Sequence, residues 1–349
     1  MRVGRYIRMY MVLASCLLLF VLTGCDATIH EYPHIVDLTL RVKLSADMAE
    51  PEYYCDVICD TRTGTRTDFV TRSAVSRVLQ PEDMYLRFTT ELYRVVGDQA
   101  EFVERRVRHV EMDNPIPQAE EFFEIESYKY RVLVWADYVP KATGLSWYYS
   151  NEDLRAIVYN GQVSGDNNDK DAYTGTKDID LSHLKYSEED AIVTTLDIPL
   201  HRPLGRFKLI STDLAEFEEK GHDWRDVTTK VTYKQYVSAG YNVEEQRPNK
   251  FDPTRTITTS ADLYEEEAGH LLLSYDYLFV NGGQSNLLAD FYFYDAEGKE
   301  ISHWYNITIP ILRNRETLVR GDFLTSSYGT NGVGINDNFE NEFVIPVNL

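Results

Sequence analysis

Residues 130–139 read YRVLVWADYV, and they give the clearest indication of the fold class. In an extended strand, alternate residues from Tyr130 to Ala136 share one face, while Leu133 and Trp135 lie on the other. Apolar residues on both faces predict a strand that is covered on both sides, as in the centre of a β-sandwich. The extended pattern runs over residues 122–139, which we predict to be one continuous strand.

Short alternating segments recur through the rest of the chain and end at turn residues. Predicted strands cover residues 36–44, 53–60, 84–96, 102–112, 192–200, 227–233, 271–280, 287–294, 301–311, 318–324 and 343–347. Residues 281–285 predict a hairpin between the strands on either side, and residues 238–260 predict loops. One helix is predicted at residues 213–220, where Asp213 and Glu216 form a capping-box pair.

The number of strands and the chain length together predict an all-β protein with two tandem β-sandwich domains and one short helix. Without its first 24 residues the chain has 349 − 24 = 325 residues, and single cores stop growing near about 250–300 residues. We place the N-terminal β-sandwich at residues 35–190 and the C-terminal β-sandwich at residues 191–349.

The N-terminus predicts a lipoprotein signal peptide over residues 1–24. It carries three arginines and no acid, followed by an apolar run too short to span a bilayer, and it closes on Leu22-Thr23-Gly24-Cys25. That box predicts lipidation of Cys25, so residues 25–34 form a lipidated N-terminus and linker, and the lipid on Cys25 makes the membrane a partner. The alternatives are an ordinary secretory leader and an N-terminal anchor helix.

Composition argues against nucleic acid as a partner. The formal net charge is −21, and removing the three arginines of the leader gives −21 − 3 = −24 for the mature chain. A polyanion of this kind repels nucleic acid and anionic lipid headgroups. Cys55 and Cys59 remain outside the leader and the box, about 13 Å apart on one predicted strand, so we interpret them as small core residues rather than a disulfide.

We find no catalytic motif, no cofactor-binding motif and no metal-ligand spacing, so the protein is predicted not to be an enzyme. Residues 166–171 (DNNDKD) suit a calcium ion by oxygen content but lack the EF-hand spacing, which favours a solvated loop. The aromatic segments at residues 146–149 and 303–305 could stack on sugars, but sandwich core and rim are the favoured interpretation.

The mature chain resembles the Bacteroidales-type fimbrillin-associated lipoproteins, the group that includes the minor-fimbria anchoring subunits. The resemblance rests on segments in matching order and spacing over roughly 300 residues. These are Leu22–Cys25, Tyr130–Val139, Tyr173–Gly175, Arg202–Phe207, Ser211–Leu214, Phe279–Gly282, Ile309–Asn314 and Val319–Thr325. It implies two transthyretin-like, Greek-key sandwiches, a lipid anchor in the outer membrane, exposure at the cell surface and docking to fimbrial subunits by strand exchange.

The leading functional hypothesis is therefore a non-enzymatic, lipid-anchored protein that serves as a fimbrial anchor or accessory subunit. A surface glycan-binding lipoprotein is the alternative. For strand exchange we expect the N-terminal strand at residues 36–44 to stay in its own groove, because cleavage after it would free the protein from its lipid. The exchangeable segment is then the C-terminal run Phe343, Val344, Ile345 and Val347, in which Pro346 removes one ladder hydrogen bond.

Overall fold

A computed structural model describes residues 36–69, 83–160, 164–184 and 192–329, and its regular structure is almost wholly β. The prediction of an all-β fold with one short helix is confirmed. Within those ranges, no helix is long and apolar enough to cross a bilayer. The strands are β1 (Asp37–Ala46), β2 (Glu52–Asp60), β3 (Gly64–Asp68), β4 (Met84–Val96), β5 (Gln99–Val110), β6 (Gln118–Glu126), β7 (Lys129–Pro140), β8 (Tyr149–Ser150), β9 (Ile157–Tyr159), β10 (Ala172–Asp180), β11 (Val193–Leu200), β12 (Leu204–Ser211), β13 (Thr228–Asn242), β14 (Arg247–Ser260), β15 (Asp262–Leu263), β16 (Leu271–Phe279), β17 (Gln284–Tyr294), β18 (Glu300–Leu312) and β19 (Arg315–Gly321).

The first sandwich packs a three-stranded sheet, in the order β11-β1-β6, on a four-stranded sheet, in the order β10-β7-β4-β5. Alternate residues of β1, from Leu38 to Leu44, point into this core and are buried, as their period of two requires. They meet Leu86 and Phe88 of β4 and Val132 and Val134 of β7 in one apolar cluster.

The second sandwich packs a six-stranded sheet, in the order β15-β16-β12-β19-β2-β3, against the sheet β18-β17-β13-β9-β8, with β14 paired to β13. Its core joins Phe207 and Leu209 of β12 to Val231 of β13, Phe291 of β17 and Trp304 of β18. A third cluster of buried aromatic residues, centred on Trp135, lies between the two sandwiches.

The sequence proposed a domain boundary between residues 190 and 191. Strands from both sides of that boundary contribute to each sandwich. β2 and β3 come from the early chain, yet β2 pairs in parallel with β19 of the second sandwich. In the opposite direction, β11 pairs in parallel with β1 of the first sandwich. The chain therefore passes between the sandwiches several times, and each sandwich contains strands from both proposed domains.

The strand at the centre of the sequence argument has the predicted burial. β7 lies between β10 and β4, and both Val134 and Trp135 are fully buried. Val134 faces the core of the first sandwich, while Trp135 faces the aromatic cluster between the sandwiches. The prediction that these two neighbours are buried on opposite faces of a central strand is confirmed.

The prediction of one continuous strand over residues 122–139 is wrong. The chain turns at Ser127 and Tyr128, so that β6 lies in the three-stranded sheet and β7 in the sheet that faces it. One face of β6 is buried and mostly apolar, although it includes Glu121, whereas the other face carries exposed Phe122 and acids. The loss of two-sided apolar character before Tyr128 is the sequence signal for this change of sheet.

Two connections also differ from prediction. Residues 281–285 do not close a hairpin, because β16 and β17 belong to facing sheets, and the link spans the distance of about 10 Å between them. Residues 238–260 are not loop-rich, because β13 and β14 form a long hairpin there. The strand β14 was missed because it is polar on its open face and contains Pro248 and Pro253, which an edge strand tolerates.

The predicted helix is confirmed as α1 (Leu214–Glu219), but the capping-box pair is wrong. The Asp213 side chain makes no hydrogen bond to the first turn of the helix. One of its carboxylate oxygens instead accepts hydrogen bonds from the backbone N–H groups of Leu324 and Thr325, at 3.0 and 2.7 Å. Asp213 therefore ties the start of α1 to the segment after β19.

Candidate functional site

The functional residues predicted from sequence lie at the two ends of the chain, outside the described residues. Cys25 precedes residue 36, and Phe343, Val344, Ile345 and Val347 follow residue 329. The last described residues run beside β18 in parallel: the Tyr328 N–H donates to the His303 carbonyl, and the Tyr305 N–H donates to the Tyr328 carbonyl. The chain thus approaches its C-terminal segment along the outer edge of β18.

The first strand after the predicted tether is held on both sides. β1 pairs in parallel with β11 from Thr39 to Ala46 and antiparallel with β6 from Asp37 to Ser45. On its outer face, an Arg41 terminal nitrogen lies 2.6 Å from a Glu120 oxygen. Removing β1 would leave a gap between two strands and would open the core of the first sandwich.

The strand β5 forms the outer edge of the four-stranded sheet among the described residues. Phe102, Val103 and Val107 on it are exposed, which is unusual for apolar residues of a sheet. A bulge opposite Leu92 and Tyr93, together with three arginines, interrupts the edge. Bulges and charges are common devices that keep edge strands from pairing with other chains, so β5 is a poor template for strand addition.

A surface cleft of about 380 Å³ lies where β4 and β5 meet the loop before β9. Its floor is the buried carboxylate of Glu91, which accepts hydrogen bonds from the Tyr93 hydroxyl at 2.7 Å and from an Arg105 terminal nitrogen at 2.6 Å. Burial, and then the hydrogen bond to Glu91, raise the pKa of the Tyr93 hydroxyl, so that it remains a donor. The Glu91 carboxylate at the floor of the cleft is therefore held in place, and the Arg105 guanidinium balances its charge.

The walls of the cleft are an arginine and an aromatic ring. The Arg155 guanidinium lies 4.0 Å from the centre of the Tyr93 ring, and its Nε lies 2.7 Å from a Glu244 oxygen. The Phe102 ring meets Tyr93 edge to face at 5.7 Å between centroids, and Phe102 is 58% exposed. Glu152 and Asp153 stand at the rim, both exposed. Sequence reasoning missed this site because its residues come from separate segments.

The segment at residues 166–171 is not a solvated loop. Lys170 and Asp171 are buried and form ion pairs with Asp276 and Arg202, at 2.5 and 2.7 Å. Among the described residues there is no group of three or more His, Cys, Asp or Glu side chains that could hold a metal ion. The carboxylate of Asp171 is thus committed to a guanidinium, and the solvated-loop interpretation fails because the segment packs between the sandwiches.

The aromatic segments considered for sugar stacking are core, as favoured from the sequence. Tyr148, Tyr149 and Trp304 are buried among other aromatic rings. Cys55 and Cys59 are also buried, and each is a free thiol, which confirms their interpretation as core residues. Burial raises the pKa of the Cys55 thiol to about 11, so it stays protonated and unreactive at neutral pH.

A family described as a family of unknown function (DUF6562) matches residues 37–348. The comparison with curated proteins gave no match. Among solved structures, the chain is similar to a candidate adhesin from Bacteroides ovatus, with 13% identity, a TM-score of 0.41 and coverage of 81% of this chain and 79% of that chain. It is also similar to the fimbrial anchor protein Mfa2 from Porphyromonas gingivalis, with 10% identity, a TM-score of 0.37 and coverage of 75% and 81%. Likenesses at this level assign no function to the chain.

Proposed function

We propose that this chain, which belongs to the family of unknown function DUF6562, is a lipid-anchored, non-enzymatic protein of the outer membrane. In this proposal the acyl chains on Cys25 hold it at the cell surface, where it serves as a fimbrial anchor or accessory subunit. The lipobox Leu22–Cys25 and the resemblance to fimbrillin-associated lipoproteins support this role.

The observation that carries the proposal is the double pairing of β1. Cys25 and Asp37, the first residue of β1, are only 37 − 25 = 12 positions apart, a reach of at most about 43 Å. Because β1 is hydrogen-bonded to β11 and β6 along its length, a pull on the lipid would load two ladders together. A short tether that leads into a central strand suits a protein that must resist detachment from the membrane.

The same pairing bears on how subunits assemble. A central strand whose apolar face fills its own core is not available for exchange with a neighbour. The C-terminal run Phe343–Val347 is left as the exchangeable segment, because its alternating side chains suit insertion into a partner's groove. Fimbrial subunits are the proposed partners.

Deletion of residues 341–349 tests the proposal in cells that make the lipoprotein and fimbriae together. The deleted protein should remain folded and membrane-bound, but it should no longer co-purify with fimbrial subunits. Ile345→Asp should have the same effect, because a charge cannot enter an apolar groove, whereas Asn348→Asp is the matched control and should co-purify normally. Unchanged co-purification after the deletion would exclude this segment as the donor. Global unfolding would instead show that it belongs to the protein's own core.

A further inference from the structure

The cleft beside β5 has the size of a ligand site and a preorganised wall. Its volume of about 380 Å³ falls in the range of about 300–1,000 Å³ that is usual for small-molecule sites. Arg105 fixes the loop that forms one side, because its terminal nitrogens donate to the carbonyls of Asn151 and Glu152, at 2.6 and 2.9 Å. A site whose loop is already ordered loses less entropy when a ligand binds.

The charges around the cleft disfavour an anionic ligand. Three acids and two arginines line it, and the pair Glu91–Arg105 is internally satisfied. The Arg155 guanidinium is already paired with Glu244, whereas the rim carboxylates of Glu152 and Asp153 would repel an anionic ligand. A hydroxyl group can bind to both kinds of charged group, since it donates a hydrogen bond to a carboxylate and accepts one from a guanidinium.

The Phe102 ring adds an apolar surface beside these polar groups. With 58% of the residue exposed, the ring can cover one apolar face of a ligand at the mouth of the cleft. In the described part of the chain, the Glu152 carboxylate has no hydrogen-bond or ion-pair partner, and its own carbonyl is held by Arg105. The cleft therefore offers one apolar face and, at Glu152, a carboxylate that can still accept hydrogen bonds within a single concavity.

We infer that this cleft binds a pyranose unit of a neutral glycan. A sugar ring presents an apolar C–H face, which would lie on Phe102, and hydroxyl groups, which would reach Glu152, Asp153 and Arg155. The site differs from the aromatic segments that suggested sugar stacking in the sequence, since those are buried. The inference does not rest on fimbrial assembly, because the cleft is formed by β4, β5 and the loop before β9, and neither Cys25 nor the run Phe343–Val347 lines it.

Binding of defined hexasaccharides to the purified full chain tests this inference. The probes are the neutral hexamers of glucose (α- and β-linked), xylose, mannose and N-acetylglucosamine, with an oligolysine and an oligoglutamate as charged comparisons. Saturation-transfer NMR and calorimetry should detect at least one neutral hexamer, with a dissociation constant on the order of 1 mM or tighter. Phe102→Ala should weaken that binding by about tenfold or more, and Glu152→Gln should weaken it by a smaller factor.

The matched control is Val107→Ala, on the same strand, where the residue is 51% exposed but does not line the cleft. It should leave binding unchanged, and all three variants should unfold at the wild-type temperature because the residues are exposed. Binding that Phe102→Ala leaves intact would overturn the inference, since the sugar would then sit elsewhere. Binding of the charged peptides alone, or of no probe, would also overturn it. None of these results tests the proposed role in fimbrial assembly, because no fimbrial subunit is present in the assay.

Discussion

The ammonium nitrogen of Lys170 lies 2.5 Å from a carboxylate oxygen of Asp276, and each side chain is only 1% exposed. Lys170 precedes β10 of the first sandwich, while Asp276 lies on β16 of the second. The second oxygen of Asp276 accepts a hydrogen bond from the Tyr233 hydroxyl at 2.7 Å. This buried pair links the two sandwiches, and the centre of the Tyr159 ring lies 5.1 Å from the Lys170 ammonium nitrogen.

Breaking the pair from one side should strongly destabilise the protein. Lys170→Met keeps the apolar stem but leaves the Asp276 carboxylate buried without its partner, which costs about 3–5 kcal/mol of unfolding free energy in comparable pairs. Urea unfolding would measure the loss. Lys220→Met is the control, because that lysine pairs with Glu216 on the surface at 48% and 58% exposure and should cost less than about 1 kcal/mol. Equal losses of unfolding free energy in the two variants would mean that the Lys170–Asp276 pair is not buried.

Trp135→Ala should lower stability by about 3–5 kcal/mol, because it empties the centre of the aromatic cluster between the sandwiches. Trp135 contacts Tyr149, Tyr241 and Phe279 there and is fully buried. The control is Leu145→Ala, at a residue that is 69% exposed, where a change within about 0.5 kcal/mol is expected. A loss near zero for Trp135→Ala, measured by the same urea unfolding, would contradict its place in the core.

Stability should fall as pH rises through the acid range because of Asp166. Burial raises the pKa of its carboxyl to about 7, with the nearby Asp276 carboxylate acting in the same direction. The folded state then holds a proton that the unfolded chain releases near about pH 4, so this contribution is complete below that pH and is lost towards about pH 7.

Asp166→Asn isolates this contribution, because the amide oxygen can still accept the hydrogen bond from the Tyr275 N–H, which is 2.6 Å long. Unfolding free energies at about pH 5 and about pH 8 should show a larger loss with rising pH for the wild type than for the variant. Parallel pH profiles for the two proteins would show that Asp166 titrates normally in the folded state.

Cys25→Ser should release the protein from the membrane and leave its fold unchanged, because the first described strand begins only at Asp37. Fractionation of cells and labelling with a fatty-acid analogue would report the loss. Cys16→Ser is the matched control, since that cysteine lies in the leader outside the box and should leave attachment intact. A Cys25→Ser protein that stays in the membrane after removal of its leader would identify another anchor.

Each sandwich contains strands from both sides of the boundary between residues 190 and 191, so we expect the two sandwiches to unfold together. Residues 26–190 alone lack β11, and residues 191–349 alone lack β2 and β3, so each half has an unpaired strand beside its core. We expect neither half to give a cooperative thermal transition by circular dichroism, and we expect the co-expressed halves to associate. A half that melts cooperatively by itself would support an independent domain that ends at residue 190 or begins at residue 191.

Local sequence patterns are sufficient to predict the class of fold and the faces of its strands. The apolar residues on both sides of Val134 and Trp135, and the alternation from Leu38 to Leu44, predict burial because side chains on a strand alternate with a fixed period of two. The prediction of a lipobox at Leu22–Cys25 likewise rests on four adjacent residues. These signals are local, so they can be identified without knowing what any segment packs against.

The pairing of strands and the contacts between polar groups become visible only in the folded protein. Backbone hydrogen-bonding groups are alike in every strand, so nothing in the sequence of β2 names β19 as its neighbour, more than 250 residues away. The ion pair of Lys170 with Asp276 and the cleft beside Phe102 arise in the same way, from residues distant in sequence. The way the sheets stack determines which of these residues meet. The local sequence fixes the face of the strand on which a side chain lies, but it does not fix which side chain packs against it there.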